Sequence, residues 1–142
     1  MDAWLIASLM VILIWGLWGV MLKYAGLYME WYYVYAGSAM GAFIVYAIFI
    51  SILTITGKLS ISLQAKPLAI AAAGGLLGAL GGILMVIALK AGEASIVVPL
   101  TALYPLVTVL VSYAILGEPM TARKMAGLML AIIAVILLST SE

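Results

Sequence analysis

The sequence predicts an all-α membrane protein with five transmembrane helices, and three observations carry this prediction. Hydrophobic residues make up 68% of the 142 residues and charged residues only 8%, whereas soluble domains are about 45–50% apolar and about 25% charged. The few charges separate five uncharged runs of 17 to 27 residues, and a membrane helix needs roughly 17–25 apolar residues. Continuous runs indicate helices, because the strands of a transmembrane barrel are alternating segments of about 10 residues.

The predicted helices have recognisable ends. Their approximate ranges, in chain order, are 3–23, 31–56, 67–90, 94–117 and 121–140. Aromatic residues at 31–33 begin the second helix, as is typical of the membrane interface. Pro67 lies in the first turn of the third helix, where its missing N–H costs little. Lys90 and Glu93 flank a tight hairpin, and each charge complements the dipole of its own helix.

Composition also bears on function. The chain has no cysteine and no histidine, which removes disulfides, Cys/His metal sites and imidazole bases. A net charge of +1 argues against a nucleic-acid partner, which would need a clustered basic surface. All charges are placed at predicted helix ends, so no acid is expected in mid-membrane. We therefore predict no enzyme activity and no cofactor or metal.

The distribution of positive charge predicts an orientation. Cytoplasmic loops carry an excess of Lys and Arg. The N-terminal side of the membrane would hold four basic residues and the opposite side two: Lys58, Lys66, Arg123 and Lys124 against Lys23 and Lys90. This places the N-terminus in the cytoplasm and the chain in the inner, cytoplasmic membrane, although so small a difference also allows insertion both ways.

Two predicted helices carry glycines at four-residue spacing, which allows membrane helices to approach closely. These are Gly37 and Gly41 in the second helix, and Gly74, Gly78 and Gly82 in the third. The pattern is typical of packing inside a helix bundle and also of a homodimer interface. Both interpretations stay open at this point.

The fourth predicted helix combines two prolines with hydroxyl groups. Pro99 and Pro105 each remove a backbone N–H, so we expect the helix to be kinked or locally opened. Hydroxyl-bearing residues recur along one face at three- and four-residue spacing: Thr101, Tyr104, Thr108 and Ser112. They either line a substrate site of the kind that transporters build from interrupted helices, or they bond to freed backbone groups and neighbouring helices.

The first predicted helix contains a deeply placed tryptophan. Trp15 lies about 20 Å into the span at 1.5 Å per residue, and an indole N–H at that depth needs a partner. It either lines a polar cavity and stacks on a ligand, or packs against Gly16 and Gly19 and bonds to a neighbouring helix.

Four motifs occur in a recognisable order along nearly the whole chain. They are Trp15-Gly16-x-Trp18-Gly19, Ala88-Leu89-Lys90, Pro105 and Leu116-Gly117-Glu118-Pro119-Met120-Thr121. This order and spacing resemble an EamA domain of the drug/metabolite transporter superfamily. The resemblance implies one domain over residues 1–142, equivalent to one half of the ten-helix transporter fold and similar to the short single-domain bacterial and archaeal branch.

The resemblance implies a secondary carrier that moves small metabolites, often outward, by alternating access. It nominates substrate-binding residues in the cavity wall: Trp15, Trp18, Thr101, Tyr104 and Thr108. Glu118 matches the Gly-Glu turn of the family, where we expect a structural role near the start of the fifth helix, capped by Thr121. Small multidrug relatives use a glutamate inside helix one, and this chain has none there, which argues against drug/proton antiport.

The odd number of helices suggests a partner. Tandem duplication of a five-helix unit would place the second copy upside down, so a single copy would pair with an inverted copy of itself or with a different partner. We expect a homodimer in membrane lipid, with both antiparallel and parallel arrangements open. The alternative is a non-transporting subunit of a larger membrane complex, such as a lipid-carrier flippase.

Overall fold

The computed structural model describes residues 2–59 and 65–139, and every regular element within those ranges is an α-helix. In chain order the helices are α1 (Ala3–Gly26), α2 (Trp31–Ile55), α3 (Ala65–Ala91), α4 (Ala94–Thr101), α5 (Tyr104–Leu116) and α6 (Ala122–Ser139). The all-α prediction is confirmed. Residues 60–64 of the linker before α3 and the predicted last helical residue, Thr140, lie outside the described residues.

Within residues 2–59 and 65–139, four helical stretches are long and apolar enough to cross a membrane. They are Ala3–Gly26, Trp31–Ile55, Ala65–Ala91 and Ala94–Leu116, the last combining α4 and α5. α6 covers the fifth predicted span with 18 residues and carries Arg123 and Lys124 in its first turn. Large apolar side chains are exposed along these helices, which requires lipid as their solvent. The chain is therefore an all-α membrane protein.

The fourth predicted helix is divided into two. α4 ends at Thr101 and α5 begins at Tyr104. Pro105 has no N–H to return to the carbonyl one turn earlier, so the helix cannot continue through it unchanged. It stands instead near the start of a new helix, where the missing donor costs little.

The chain divides into two compact units, unit 1 (Met1–Lys90) and unit 2 (Ala91–Glu142). In unit 1, α1 packs against α2. Its buried hydrophobic side chains lie where α1 ends, α2 begins and α3 ends: Leu22, Val34, Val86 and Leu89. In unit 2, α4 packs against α6, and Val135 of α6 is buried.

The turn between α5 and α6 follows from its residues. Gly117 ends α5 in the left-handed conformation with φ 68°, which glycine adopts without steric cost. The Glu118 N–H donates to the Ser112 carbonyl at 3.3 Å. At the start of α6 the Lys124 N–H donates to Thr121 Oγ1 at 3.3 Å. The N-cap predicted for Thr121 is therefore confirmed.

Candidate functional site

The candidate site in unit 2 is the break between α4 and α5. Ala102 donates its N–H to the Val98 carbonyl at 3.0 Å, and Leu103 donates to Leu100 at 3.2 Å. Beyond the break, Leu106 donates to the Leu103 carbonyl at 2.9 Å. The eight residues of α4 rise about 12 Å at 1.5 Å per residue. In a span that begins at the membrane surface with α4, the break would lie near the middle of a hydrocarbon layer about 30 Å thick.

Threonine hydroxyls bond to backbone carbonyls on both sides of the break. Thr101 Oγ1 lies 3.0 Å from the Val97 carbonyl oxygen and 2.9 Å from that of Val98. Thr108 Oγ1 donates to the Tyr104 carbonyl at 3.3 Å. A hydroxyl has one proton and two lone pairs. Each hydroxyl thus donates to a carbonyl about one turn earlier in its own chain, a bond that is common for threonine in helices.

Tyr104 differs from these threonines in what it presents. It is the first residue of α5, and its ring is 59% exposed. The three nominated residues of unit 2 thus surround one helix break: Thr101 ends α4, Tyr104 begins α5, and Thr108 lies one turn further.

The two nominated tryptophans lie in α1, in unit 1. Trp15 is 57% exposed. Trp18 is partly buried, and its indole N–H donates to Ser38 Oγ of α2 at 3.4 Å. The interhelical bond considered for Trp15 is thus seen at Trp18. Sequence reasoning did not single out Ser38, although its position inside the Gly37-x-x-x-Gly41 motif was a usable signal.

The five nominated residues therefore belong to two sets. Trp15 and Trp18 lie in unit 1, whereas Thr101, Tyr104 and Thr108 lie in unit 2. The two tryptophans share α1, whereas the three residues of unit 2 lie on the consecutive helices α4 and α5. The structure brings the second set together around the break, and it couples Trp18 to α2.

The predicted packing glycines differ in their surroundings. A Cβ atom added at Gly82 would lie 3.4 Å from Cε2 of Tyr35, and the Tyr35 hydroxyl donates to the Ala79 carbonyl at 3.1 Å. The Tyr35 side chain of α2 therefore reaches the backbone of α3 beside Gly82. At the other four glycines, no described atom lies within 4 Å of the added Cβ: Gly37, Gly41, Gly74 and Gly78.

Two lysines form an arrangement that the sequence did not predict. Lys23 Nζ of α1 donates to the Leu89 carbonyl of α3 at 2.8 Å. Lys90 Nζ of α3 donates to the carbonyls of Gly26 at 3.0 Å and Met29 at 3.2 Å. We call Lys23 and Lys90 the lysine clamp. The usable signal was that both lysines occupy the last turn of helices running in the same direction across the membrane.

Glu118 lies in the turn before α6. Its carboxylate is 3.6 Å from Lys124 Nζ, and both side chains are largely exposed. Such a pair contributes about 0–1 kcal/mol. The contact links the turn to the first helical turn of α6.

A chain with several membrane-crossing helices is a multi-pass membrane protein, and one of its spans is interrupted, as is common in transporters. Residues 2–140 match the model of the EamA-like transporter family, and the chain belongs to this family. Its members are drug/metabolite-type transporters and not enzymes.

A 63-residue stretch of the chain is 46% identical to an uncharacterized protein of Methanocaldococcus jannaschii. The match covers 44% of this chain and 46% of the relative, so the chain spans about half the length of that curated relative. No solved structure matches the chain.

Proposed function

We propose that the protein is a secondary transporter that exports small metabolites, such as amino acids or other small organic solutes, across the cytoplasmic membrane. It works by alternating access in a dimer. The observation that carries this proposal is the break between α4 and α5 in a segment long enough to span the membrane. Interrupted helices form the substrate and ion sites of many secondary transporters.

The chemistry of the break suits a small polar solute. The C-terminal end of α4 carries partial negative charge and the N-terminal end of α5 partial positive charge. The ammonium group of such a solute would be attracted to the end of α4, and its carboxylate group to the start of α5. In this proposal the oxygens of Thr101, Tyr104 and Thr108 accept or exchange hydrogen bonds with the solute. The aromatic rings of Trp15 and Trp18, in unit 1, remain proposed substrate contacts in their own right.

The glycine faces support the dimeric part of the proposal. Gly74 and Gly78 of α3 have no described atom near their added Cβ positions, so a second helix can approach the backbone there. A second copy of the chain is the proposed partner, with the antiparallel arrangement first, because an odd number of spans requires inversion to form the ten-helix architecture.

The test is solute uptake into proteoliposomes containing the purified protein, with a panel of labelled amino acids and small organic solutes. Thr101→Val keeps the side-chain shape and removes the hydroxyl, and we expect uptake of the transported solute to fall by about tenfold. Thr54→Val is the matched control, since Thr54 Oγ1 makes the same bond to its own helix, to Ile50 at 2.9 Å, at the end of α2. Uptake should then be unchanged.

Two outcomes would overturn the proposal. No specific uptake across the panel would remove transport as the activity. The same result together with stoichiometric copurification of another membrane protein in mild detergent would support the alternative, a non-transporting subunit of a larger complex such as a lipid-carrier flippase.

A further inference from the structure

One end of unit 1 is packed and the rest of its helices are open. Val86 and Leu89 of α3 are 3% and 1% exposed and lie close to the end of that helix. Leu22 near the end of α1 and Val34 near the start of α2 are also buried. Leu76, further back along α3, is 68% exposed. Among the described residues of unit 1, the buried large apolar side chains therefore lie at this end.

The lysine clamp closes the same end. The last carbonyls of a helix lack N–H partners within it, and they carry partial negative charge that attracts a cation. Here each lysine serves the other helix: Lys23 of α1 bonds to α3, and Lys90 of α3 bonds to the end of α1 and the following loop. Separating α1 from α3 breaks all three of these bonds. A lysine that bonded only to the end of its own helix would not oppose that separation.

We propose that this end of unit 1 is a gate of the transporter and that the lysine clamp holds it shut. This inference rests on the proposed transport function, since alternating access requires an end that closes and opens. The lysines and their carbonyl partners lie at helix ends, where water can hydrogen-bond to each group once the pair separates. Opening the gate therefore leaves no charge without a partner, and it admits water to Val86 and Leu89.

The test measures water access at Val86 with a single cysteine, which is possible because the chain has no native cysteine. Val86→Cys is reacted with a water-soluble maleimide in membranes, with and without Lys23→Met and Lys90→Met together. Methionine keeps an apolar stem of similar length and removes the charge. We expect the double substitution to raise the labelling rate by about tenfold, because local opening becomes more frequent.

Val135→Cys is the matched control. Val135 is 8% exposed and lies near the end of α6, in unit 2. A gate held by the clamp predicts that its labelling rate is unchanged by the two substitutions. Lys23→Arg together with Lys90→Arg should keep Val86→Cys slow, since arginine also donates to carbonyls. Lys23→Met alone leaves the two bonds of Lys90 and should give an intermediate rate.

An unchanged rate at Val86→Cys in the double variant would overturn the gate. An equal increase at Val135→Cys would also overturn it, because the substitutions would then loosen the whole chain. Labelling needs no substrate, so this result is separate from the proteoliposome assay. Absence of uptake removes the proposed function, whereas the labelling rates decide whether the clamp closes this end.

Discussion

The lysine clamp of unit 1 and the helix break of unit 2 differ in which helix supplies the hydrogen-bond donor. In both regions a side-chain donor bonds to backbone carbonyls. At the clamp the donor belongs to a different helix, as in the bond from Lys23 to Leu89. At the break the donor belongs to the same helix, as in the bonds from Thr101 to Val97 and Val98.

This difference decides what each region does mechanically. Bonds between helices resist the separation of α1 and α3. The bonds from Thr101 to Val97 and Val98 stay within α4, and α5 is joined to α4 through Ala102 and Leu103. The clamped end of unit 1 is therefore expected to open only when bonds between helices break, and the break in unit 2 is expected to be the more adaptable of the two regions.

The largest expected effect comes from a substitution that removes packing beside the lysine clamp. Leu89→Ala removes a side chain that is 1% exposed. In lipid the transfer contribution is small, but the lost contacts and the cavity remain. We expect a loss of about 2–3 kcal/mol in the free energy of unfolding, measured by titration with a denaturing detergent.

Leu76→Ala is the control for this substitution, since Leu76 belongs to the same helix and is largely exposed. Its cost should be within about 0.5 kcal/mol. Equal losses at the two positions would show that the end of unit 1 is no better packed than the rest of α3, and the comparison would fail.

The next effect removes the clamp itself. Lys23→Met with Lys90→Met abolishes the bonds from Lys23 to Leu89 and from Lys90 to Gly26 and Met29, and such bonds from charged donors are each worth about 1.5–3 kcal/mol. Lys90 is exposed and Lys23 is partly buried, so solvent reduces this to about 2 kcal/mol in total.

The control for the clamp is Lys124→Met in unit 2, which removes an exposed pair with Glu118. We expect about 0–1 kcal/mol in the same unfolding titration. If this single substitution costs as much as the double one, bonds between helices at the clamp add nothing special to stability.

A smaller effect concerns the break. Pro105→Ala restores an N–H at the second position of α5 and allows it to bond back toward the end of α4. We expect amide hydrogen exchange at residues 103, 104 and 106 to slow by about tenfold as α4 and α5 join. Pro67→Ala changes a proline in the first turn of α3 and should leave exchange there unchanged, because the N–H groups of a first helical turn have no carbonyl partner within the helix.

Local signals explain how much the sequence could predict. Membrane spans depend on the length of apolar runs, the break depends on Pro105, and the cap at Thr121 depends on the residues beside it, so each could be read from adjacent residues. The clamp, the Trp18–Ser38 bond and the Tyr35–Gly82 contact depend on which helices become neighbours. The sequence therefore assigned Lys90 to the dipole of its own helix, whereas the structure also bonds it to the end of α1.

The smallest expected effect concerns a hydrogen bond between two tyrosines at the clamped end of unit 1. Tyr28 lies in the loop after α1, and its phenol donates to the Tyr24 oxygen at 3.2 Å. This hydrogen bond, with a smaller contribution from burial, raises the pKa of Tyr28 above its ordinary value of 10.0. A raised pKa means that the bond favours the folded state at neutral pH and is lost as the pH rises through the pKa of the folded state.

Tyr24→Phe removes the acceptor, so the pKa of Tyr28 should return toward 10.0. The measurement is a pH titration of the Tyr28 ring carbons by NMR, with Tyr46→Phe as the control in the apolar part of α2. A pKa of Tyr28 that does not move in Tyr24→Phe would mean that the two rings, 5.1 Å apart between centroids, do not share this bond. The loop beside Lys23 would then be less ordered than the clamp that it adjoins.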